Sequence, residues 1–240
     1  MTITAETRIG DIALELPEAM RLFEQRNLDY CCGGQRRLAE VCREASQDLE
    51  ELLDRLASLQ TASGAGPARA DWSGAPLSEL VSYIEAKHHA FTREELTRVA
   101  PLMEKVLQVH GGHHPELEQV SECFQALAAD LMPHLEKEEQ ILFPYIRALE
   151  ARQTVGGACF GSVRGPIQVM QAEHDQAGEL LREIKALTRD HTPPPDACGS
   201  FRSLYMGLKA LEEDLHQHIH LENNVLFPRA VALEASRISG

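Results

Sequence analysis

Two segments of this 240-residue chain each place a histidine four residues before a glutamate. The first pair is His134 and Glu138, and the second pair is His218 and Glu222. Side chains four residues apart on an α-helix lie on the same face, about 5–6 Å apart at their Cβ atoms. Each imidazole and its carboxylate could therefore share one metal ion, and the carboxylate could extend to a second ion.

The two segments are copies of one pattern, and this repetition argues against a chance occurrence. In each copy the glutamate is followed three residues later by an apolar residue and then by Leu-Phe-Pro. One more histidine precedes each copy on a helical pattern, His89 in the first and His174 in the second. Histidine and glutamate are costly to bury in an apolar core without partners, and a pair of metal ions removes that cost. The sequence thus predicts a site of four imidazoles and two carboxylates.

The predicted ligands favour two iron ions bridged by carboxylates. If Glu138 and Glu222 both bridge, each ion receives about two imidazoles and two carboxylate oxygens, which leaves positions for an oxo bridge, water or a diatomic gas. Imidazole and carboxylate ligands also suit manganese and zinc. A structural zinc site would be expected to use thiolates in a closed tetrahedron, so an open, nitrogen-rich pair favours iron.

Other histidines and acidic residues near the motifs are interpreted as lying outside the site. His88 stands beside His89 and could replace it in a shifted register, so that choice stays open. His110 is also left open, although it stands with His113 and His114 at a predicted turn, about 30 Å along a straight helix from His89. The remaining neighbours are interpreted as solvent-facing or off the ligand face: His191, His216, His220, Glu136, Glu139 and Asn223.

Four long helical segments would carry these residues. We predict helices A to D at about Leu77 to Val109, Pro115 to Ala151, Pro166 to Arg189 and Cys198 to Leu233. Short connections rich in Gly or Pro join A to B and C to D, which is typical of antiparallel neighbours, and a longer glycine-containing connection joins B to C. Pro144 and Pro228 are expected to kink or end their helices. The predicted fold is all-α, with an antiparallel four-helix bundle.

A small helical domain is predicted before the bundle. A stretch rich in Gly, Ala, Ser and Pro without an apolar period indicates a linker. The predicted boundaries are 1–60 for the small domain, 61–76 for the linker and 77–240 for the bundle. Within the small domain we expect one helix near Thr7, a second after Pro17 and a capped helix from Ser46.

Cys31 and Cys32 are adjacent in the segment from Asp29 to Gly34, Asp-Tyr-Cys-Cys-Gly-Gly. Adjacent cysteines bridge each other only through a strained ring, so thiols are expected, and the glycines permit a sharp turn that leaves the sulfurs accessible. Cysteine is also a common small buried residue, and the residues alone leave a thiol function and a packing role open. The other cysteines are scattered singly, which does not indicate a disulfide framework: Cys42, Cys123, Cys159 and Cys198.

Charge and hydropathy argue against several classes of partner. The formal net charge of −14 disfavours nucleic acid and anionic membrane surfaces. No apolar run approaches the roughly 20 residues needed to cross a bilayer, and the N-terminus lacks the basic and apolar regions of a secretory signal. We therefore expect no nucleic acid or membrane partner and a cytoplasmic location.

The Asp29–Gly34 segment, joined to paired His-x-x-x-Glu helices, resembles the iron–sulfur cluster repair di-iron proteins of the RIC or ScdA type. That family joins an N-terminal ScdA-like domain to a hemerythrin-like bundle, and the similarity covers essentially the whole chain. The resemblance implies that Cys31 and Cys32 match the family's paired cysteines and that Glu138 and Glu222 are bridging carboxylates. The iron ligands that it implies are His89, His134, Glu138, His174, His218 and Glu222. His88 beside His89 departs from the family's pattern.

The resemblance implies repair of iron–sulfur clusters damaged by nitrosative or oxidative stress, by donation of iron. The implied partners are damaged or apo iron–sulfur proteins, with nitric oxide or oxygen species as candidate ligands, and a homodimer is left open. Two other functions stay open. One is a hemerythrin-like protein that binds oxygen or nitric oxide, and the other is an oxidoreductase that reduces nitric oxide at the open di-iron positions.

Overall fold

The computed structural model describes residues 2–62, 72–153 and 161–238. These residues form helices and their connections, with one isolated antiparallel bridge between Arg8 and Arg37. The predicted all-α class is confirmed. Cys159, most of the predicted linker and the middle of the predicted connection between helices B and C lie outside the described residues. Among the described helices, none is long and apolar enough to cross a bilayer.

The chain divides into two compact units, and the described residues of the first include four short helices. This unit comprises Met1–Ala75 together with Ile219–Pro228, and the second comprises Pro76–His218 and Arg229–Gly240. The short helices are α1 at Ile9–Glu15, α2 at Glu18–Gln25, α3 at Leu38–Glu44 and α4 at Leu49–Ala62. Their buried apolar side chains form one core, which includes Ile9, Ile12, Phe23, Tyr30, Leu38 and Leu52.

Two features of these short helices differ from the sequence-based expectation. Helix α3 was not predicted, because its single apolar turn is too short to show a clear period. The helix expected from Ser46 begins later, at Leu49, and its cap is Asp48. Asp48 Oδ1 accepts hydrogen bonds from the backbone amides of Glu50 and Glu51 at 2.9 and 3.1 Å. Such a bond satisfies an amide that has no partner within the helix.

Four long helical stretches follow, and they confirm the positions predicted for helices A to D. The first consists of α5 at Leu77–Tyr83, a π-helical turn π1 at Ile84–His89 and α6 at Ala90–His110. The second consists of α7 at Glu116–Lys137, π2 at Glu138–Leu142 and α8 at Phe143–Glu150. The third is α9 at Arg164–Leu187. The fourth consists of α10 at Gly199–Leu221, π3 at Glu222–Leu226 and α11 at Phe227–Ile238.

The second unit is built around one apolar core. Helix α5 packs on α8 and α6 packs on α7, so the first two long helices run antiparallel. Helix α9 packs along α7. Apolar side chains from all four long helices meet in the core, among them Leu96, Phe124, Leu181 and Phe201. This is the expected four-helix bundle.

Carboxylates from other helices fix the start of two long helices in the bundle. Glu150 accepts hydrogen bonds from the amides of Leu77 and Ser78 at 2.6 and 2.9 Å. Glu234 accepts one from the amide of Val163 at 2.8 Å. Amides in the first turn of a helix lack intrahelical partners, and a negative charge there also interacts favourably with the helix dipole.

Three π-helical turns occur in the part of the chain that the structure describes, and each contains a predicted metal ligand. Pro144 and Pro228 follow directly after Phe143 and Phe227, at the start of the α-helix beyond π2 and π3. A proline ring clashes with the carbonyl four residues earlier, which here lies inside the wide turn, so the widening gives that ring room. Neither proline ends its helix. No proline follows π1 closely, so proline does not account for all three turns.

Candidate metal centre

The six predicted ligands lie on the four long helices, and all are buried. His89 ends π1, His134 is in α7, Glu138 begins π2, His174 is in α9, His218 is in α10 and Glu222 begins π3. Glu138 and Glu222 have no exposed surface. A buried carboxylate requires a charged or hydrogen-bonding environment, because loss of its hydration is costly.

The ligand-type atoms of these residues converge in two groups that share both carboxylates. One group is His89, Glu138, His218 and Glu222, and the other is His134, Glu138, His174 and Glu222. In each group, one atom from every residue lies within 4.8 Å of the others. The fold therefore brings together all six residues that the doubled pattern singled out.

The histidines present their Nε2 atoms to the interior of each group. His89 Nε2 lies 3.2 Å from His218 Nε2, and His174 Nε2 lies 3.2 Å from His134 Nε2. Glu138 Oε2 lies 3.4 Å from His89 Nε2 and 3.3 Å from His134 Nε2. One oxygen of Glu138 thus lies close to a histidine of each group.

Two further carboxylates bind the Nδ1 atoms of His89 and His134, on the side of each ring away from its group. His89 Nδ1 donates to Glu139 Oε1 at 2.8 Å, and His134 Nδ1 donates to Glu173 Oε2 at 2.9 Å. A neutral imidazole with its proton on Nδ1 carries its lone pair on Nε2. His89 and His134 therefore present an Nε2 lone pair to the interior of their groups, where a cation would find a ligand atom. The donor set and the outer carboxylates both fit a metal ion.

Each outer carboxylate is held in turn by a basic side chain. Arg93 donates to both oxygens of Glu139 at 2.8 and 3.0 Å, and Lys137 donates to Glu173. Partial burial acts to raise the pKa of both carboxyls, but these hydrogen bonds and those from the imidazoles outweigh it, so both pKa values are lowered. Glu139 had been interpreted as off the ligand face. It does not join either group, but it orients His89.

Cys31 and Cys32 lie in the first unit, between α2 and α3. Their sulfurs are 4.0 Å apart, about twice the length of a disulfide bond, so both are thiols. Asp29 Oδ1 accepts hydrogen bonds from both backbone amides, at 3.1 and 2.9 Å, and from the Cys31 thiol at 3.3 Å. Cys31 is buried and Cys32 is partly exposed. The hydrogen bond between Cys31 and Cys32, together with burial, raises the pKa of the Cys31 thiol.

Comparison with known proteins places both parts of the chain. The Hemerythrin HHE cation binding domain matches residues 79–230, and ScdA_N, a domain of unknown function, matches residues 5–60. The iron-sulfur cluster repair protein YtfE of Shigella boydii serotype 4 is 41% identical over 226 residues, which cover 94% of this chain and 97% of the relative. YtfE of Escherichia coli O157:H7 matches to the same extent. YtfE of Musicola paradisiaca is 40% identical over 237 residues, or 96% of this chain and 98% of the relative.

The chain belongs to the YtfE family of iron-sulfur cluster repair proteins. The hemerythrin match contains all six residues of the two groups, and the ScdA_N match contains Cys31 and Cys32. The expected family and its two-part composition are confirmed.

His88 and His110, which the sequence does not assign, lie outside both groups in this YtfE-family chain. His88 is buried, and its Nδ1 lies 3.0 Å from Asp214 Oδ1. Its ring stacks on that of His218 with centroids 5.7 Å apart, so it supports a ligand-type residue without joining the group. His110 Nε2 lies 3.2 Å from Cys198 Sγ, at the other end of α6 from His89.

The prediction that His191 faces solvent is wrong. His191 is buried, with Nε2 at 2.7 Å from Glu212 Oε2 and Nδ1 at 3.3 Å from Thr188 Oγ1. Residues 189–191 all have positive φ, between 51° and 57°, and this left-handed stretch turns the chain back against the bundle. Left-handed conformation is rare outside glycine, so helical periodicity gives no sign of it.

His216 and His220 were also interpreted as lying outside the site, and neither belongs to either group. His216 is partly buried. His220 is fully buried in the first unit, where its Nδ1 lies 3.3 Å from the carbonyl oxygen of Tyr30. Burial lowers the pKa of His220 to about 4, so this imidazole is neutral at physiological pH.

Proposed function

We propose that this chain repairs iron–sulfur clusters damaged by nitrosative or oxidative stress, and that it donates iron from a di-iron centre. The observation that carries the proposal is that two different histidine pairs share the same two carboxylates, Glu138 and Glu222. This is the arrangement expected of two ions bridged by carboxylates. The repair activity named for the relatives, which match over nearly their whole length, supports the same conclusion.

The charges of the proposed ligands suit iron that is held and later released. Two bound iron ions supply exchangeable metal for a damaged cluster. Glu138 and Glu222 contribute two negative charges, whereas the four imidazoles are neutral ligands. Two divalent ions would therefore keep a net positive charge inside the bundle, which limits affinity compared with a carboxylate-rich site. Glu139 and Glu173 offset little of that charge, because Arg93 and Lys137 pair with them.

Cys31 and Cys32 are proposed to act in the transfer of iron to the acceptor protein. Thiolates are preferred ligands for iron in iron–sulfur clusters. Cys32 is the more exposed of the two, so we expect it to meet the acceptor first. Such chemistry requires reduced thiols, and we place it in the cytoplasm, where thiols stay reduced.

Iron content of purified variants tests the metal centre. Glu222 belongs to both groups and His134 to one, so Glu222→Ala should lose nearly all iron and His134→Ala should keep one ion per chain or fewer. His113→Ala is the matched control, because His113 is exposed and outside both groups. Mössbauer spectroscopy of the wild type should show a coupled iron pair. Full iron loading of both ligand variants would contradict the assignment.

Transfer to an apo iron–sulfur protein tests the function. Cys31→Ser combined with Cys32→Ser should leave the iron spectrum intact and weaken repair. Cys198→Ser, which removes an exposed thiol elsewhere, should repair normally. Normal repair by the double variant would refute the thiol role. Reversible oxygen binding, or catalytic consumption of nitric oxide without iron transfer, would favour a gas-binding protein or a reductase instead.

A further inference from the structure

Asn224 lies on the turn π3, and the nitrogen and oxygen of its carboxamide both contact residues between positions 30 and 35. Its Nδ2 lies 2.9 Å from the carbonyl oxygen of Cys31 and 3.3 Å from that of Tyr30. Its Oδ1 accepts a hydrogen bond from Gln35 Nε2 at 3.1 Å. All of these residues belong to the first unit, which includes Ile219–Pro228. One side chain thus satisfies two consecutive carbonyls beside the thiols.

Two glycines leave the space that Asn224 occupies. A Cβ atom at Gly34 would lie 2.3 Å from Asn224 Oδ1, and one at Gly10 would lie 2.9 Å from the same atom. Gly10 also donates its amide hydrogen to the Gly34 carbonyl at 2.9 Å. Any larger residue at position 34 would displace Asn224. Close approach of the carboxamide, and not only a sharp turn, therefore explains the second glycine of the Cys-Cys-Gly-Gly segment.

Asparagine is the residue type that this contact requires. A carboxamide nitrogen carries two hydrogens, so it can donate to two carbonyls, whereas a carboxylate of the same shape has none to give. His220, one turn earlier, adds its Nδ1 at 3.3 Å from the Tyr30 carbonyl. The Tyr30 ring meets the His220 ring edge-on, with centroids 5.6 Å apart. The carbonyl side of the segment is therefore fixed, while Asp29 fixes its amides.

We infer that Asn224 positions the Cys31–Cys32 segment on the helical turn that carries Glu222, and that this contact keeps the Cys31 thiol buried. Asn224 is thus a positioning residue for the thiols. The consequence for repair rests on the function proposed above, but the control of thiol exposure does not.

The rate of thiol modification tests this inference directly. Asn224→Leu keeps the branched shape and adds no charge, but it donates no hydrogen bond. In the full-length protein, alkylation of Cys31 by iodoacetamide, followed by peptide mass spectrometry, should accelerate about tenfold or more, because two hydrogen bonds are lost. The rates of Cys31 and Cys32 should become similar. Gly34→Ala should have the same effect, since it displaces Asn224 from the opposite side.

The matched control is Gln35→Ala. It removes the contact to Asn224 Oδ1 and leaves both Nδ2 contacts in place, so Cys31 should react at the wild-type rate. Amide hydrogen exchange should accelerate around residues 30–36 in Asn224→Leu, whereas α4 should keep its wild-type protection. Equal acceleration in α4 would make Asn224 a general stability residue and overturn the inference. A Cys31 rate within about twofold of wild type would also overturn it.

Iron measurements separate this inference from the proposed function. In Asn224→Leu, iron content and the rate of iron loss to the chelator ferrozine should match wild type, because no proposed ligand is changed. Iron loss together with unchanged thiol rates would refute the inference and give Asn224 a role in the metal centre. If the wild-type protein repairs no clusters, the proposed function is refuted. Faster modification of Cys31 in Asn224→Leu would still support the positioning role in that case.

Discussion

Replacing Glu139 by alanine tests whether the outer carboxylates set the affinity of the metal centre. In the structure Glu139 Oε1 holds the Nδ1 hydrogen of His89 at 2.8 Å, and this fixes which nitrogen faces the centre. Without that acceptor the imidazole can rotate or take the other tautomer. Loss of such a partner typically lowers metal affinity about 10- to 100-fold, which is about 1.4–2.7 kcal/mol.

The effect of Glu139→Ala on folding stability should be smaller than its effect on metal affinity. Glu139 also pairs with Arg93, but their side chains are 30% and 34% exposed. An ion pair that is this exposed contributes about 0–1 kcal/mol to stability. Loss of the hydrogen bond to buried His89 adds about 1 kcal/mol, so the free energy of unfolding of the metal-free variant is measured beside iron binding to separate the two effects.

The assay is an anaerobic titration of metal-free protein with ferrous iron against a competing chelator. Glu139 contacts the group with His89 and Glu173 contacts the group with His134, so each alanine variant should weaken one of two binding steps. Glu136→Ala is the matched control, because it removes an exposed carboxylate on the same helix. If Glu139→Ala binds iron as tightly as Glu136→Ala does, the reasoning about the outer carboxylates is wrong.

Two further predictions concern stability, and each is best measured on metal-free protein. Glu212 is buried against His191 and Lys185; burial acts to raise its carboxyl pKa, but these partners outweigh burial and lower it. The ionised Glu212 carboxylate therefore stabilises the fold above its unfolded pKa of about 4.3, and this stabilisation is lost as pH falls through the folded pKa. Glu212→Gln should lower the free energy of unfolding by about 1–3 kcal/mol at pH 7. In acid the variant and the wild type should unfold alike, and thermal unfolding at several pH values measures both effects. Glu150→Ala removes the acceptor for the amides that begin α5, and urea denaturation should show a loss of about 1–2 kcal/mol; an unchanged midpoint would contradict the capping role.

The long helices and the ligand-type residues were accessible from sequence because both depend on local spacing. His134 and Glu138 are one helical turn apart, and the same relation recurs at His218 and Glu222. An amphipathic pattern of more than twenty residues needs little tertiary information to specify a helix. Because the motif occurs twice, it also predicts that the helices carrying the two copies pack together, since each copy alone supplies too few ligands for two ions.

The outer carboxylates could not be predicted in the same way. Glu139 and Glu173 directly neighbour the ligand-type residues Glu138 and His174 in sequence, but each contacts a histidine on another helix. Spacing along one helix says nothing about contacts between helices. The sequence shows only that each of these carboxylates stands next to a predicted ligand. The helix packing is needed to show which histidine each one contacts.

The fourth long helix shows how one stretch of sequence carries two sets of contacts. At about 100° per residue, His220 and Asn224 lie roughly 200° around the helix from His218 and Glu222. Residues at positions 218 and 222 therefore belong to the two groups of ligand-type atoms, while positions 220 and 224 contact the Tyr30 and Cys31 carbonyls. The sequence places His220 off the ligand face, and the spacing of ligands on that one face gives no sign of a role for Asn224. The short stretch of backbone from Glu222 to Asn224 therefore joins a ligand-type residue to the residue that supports the thiol segment.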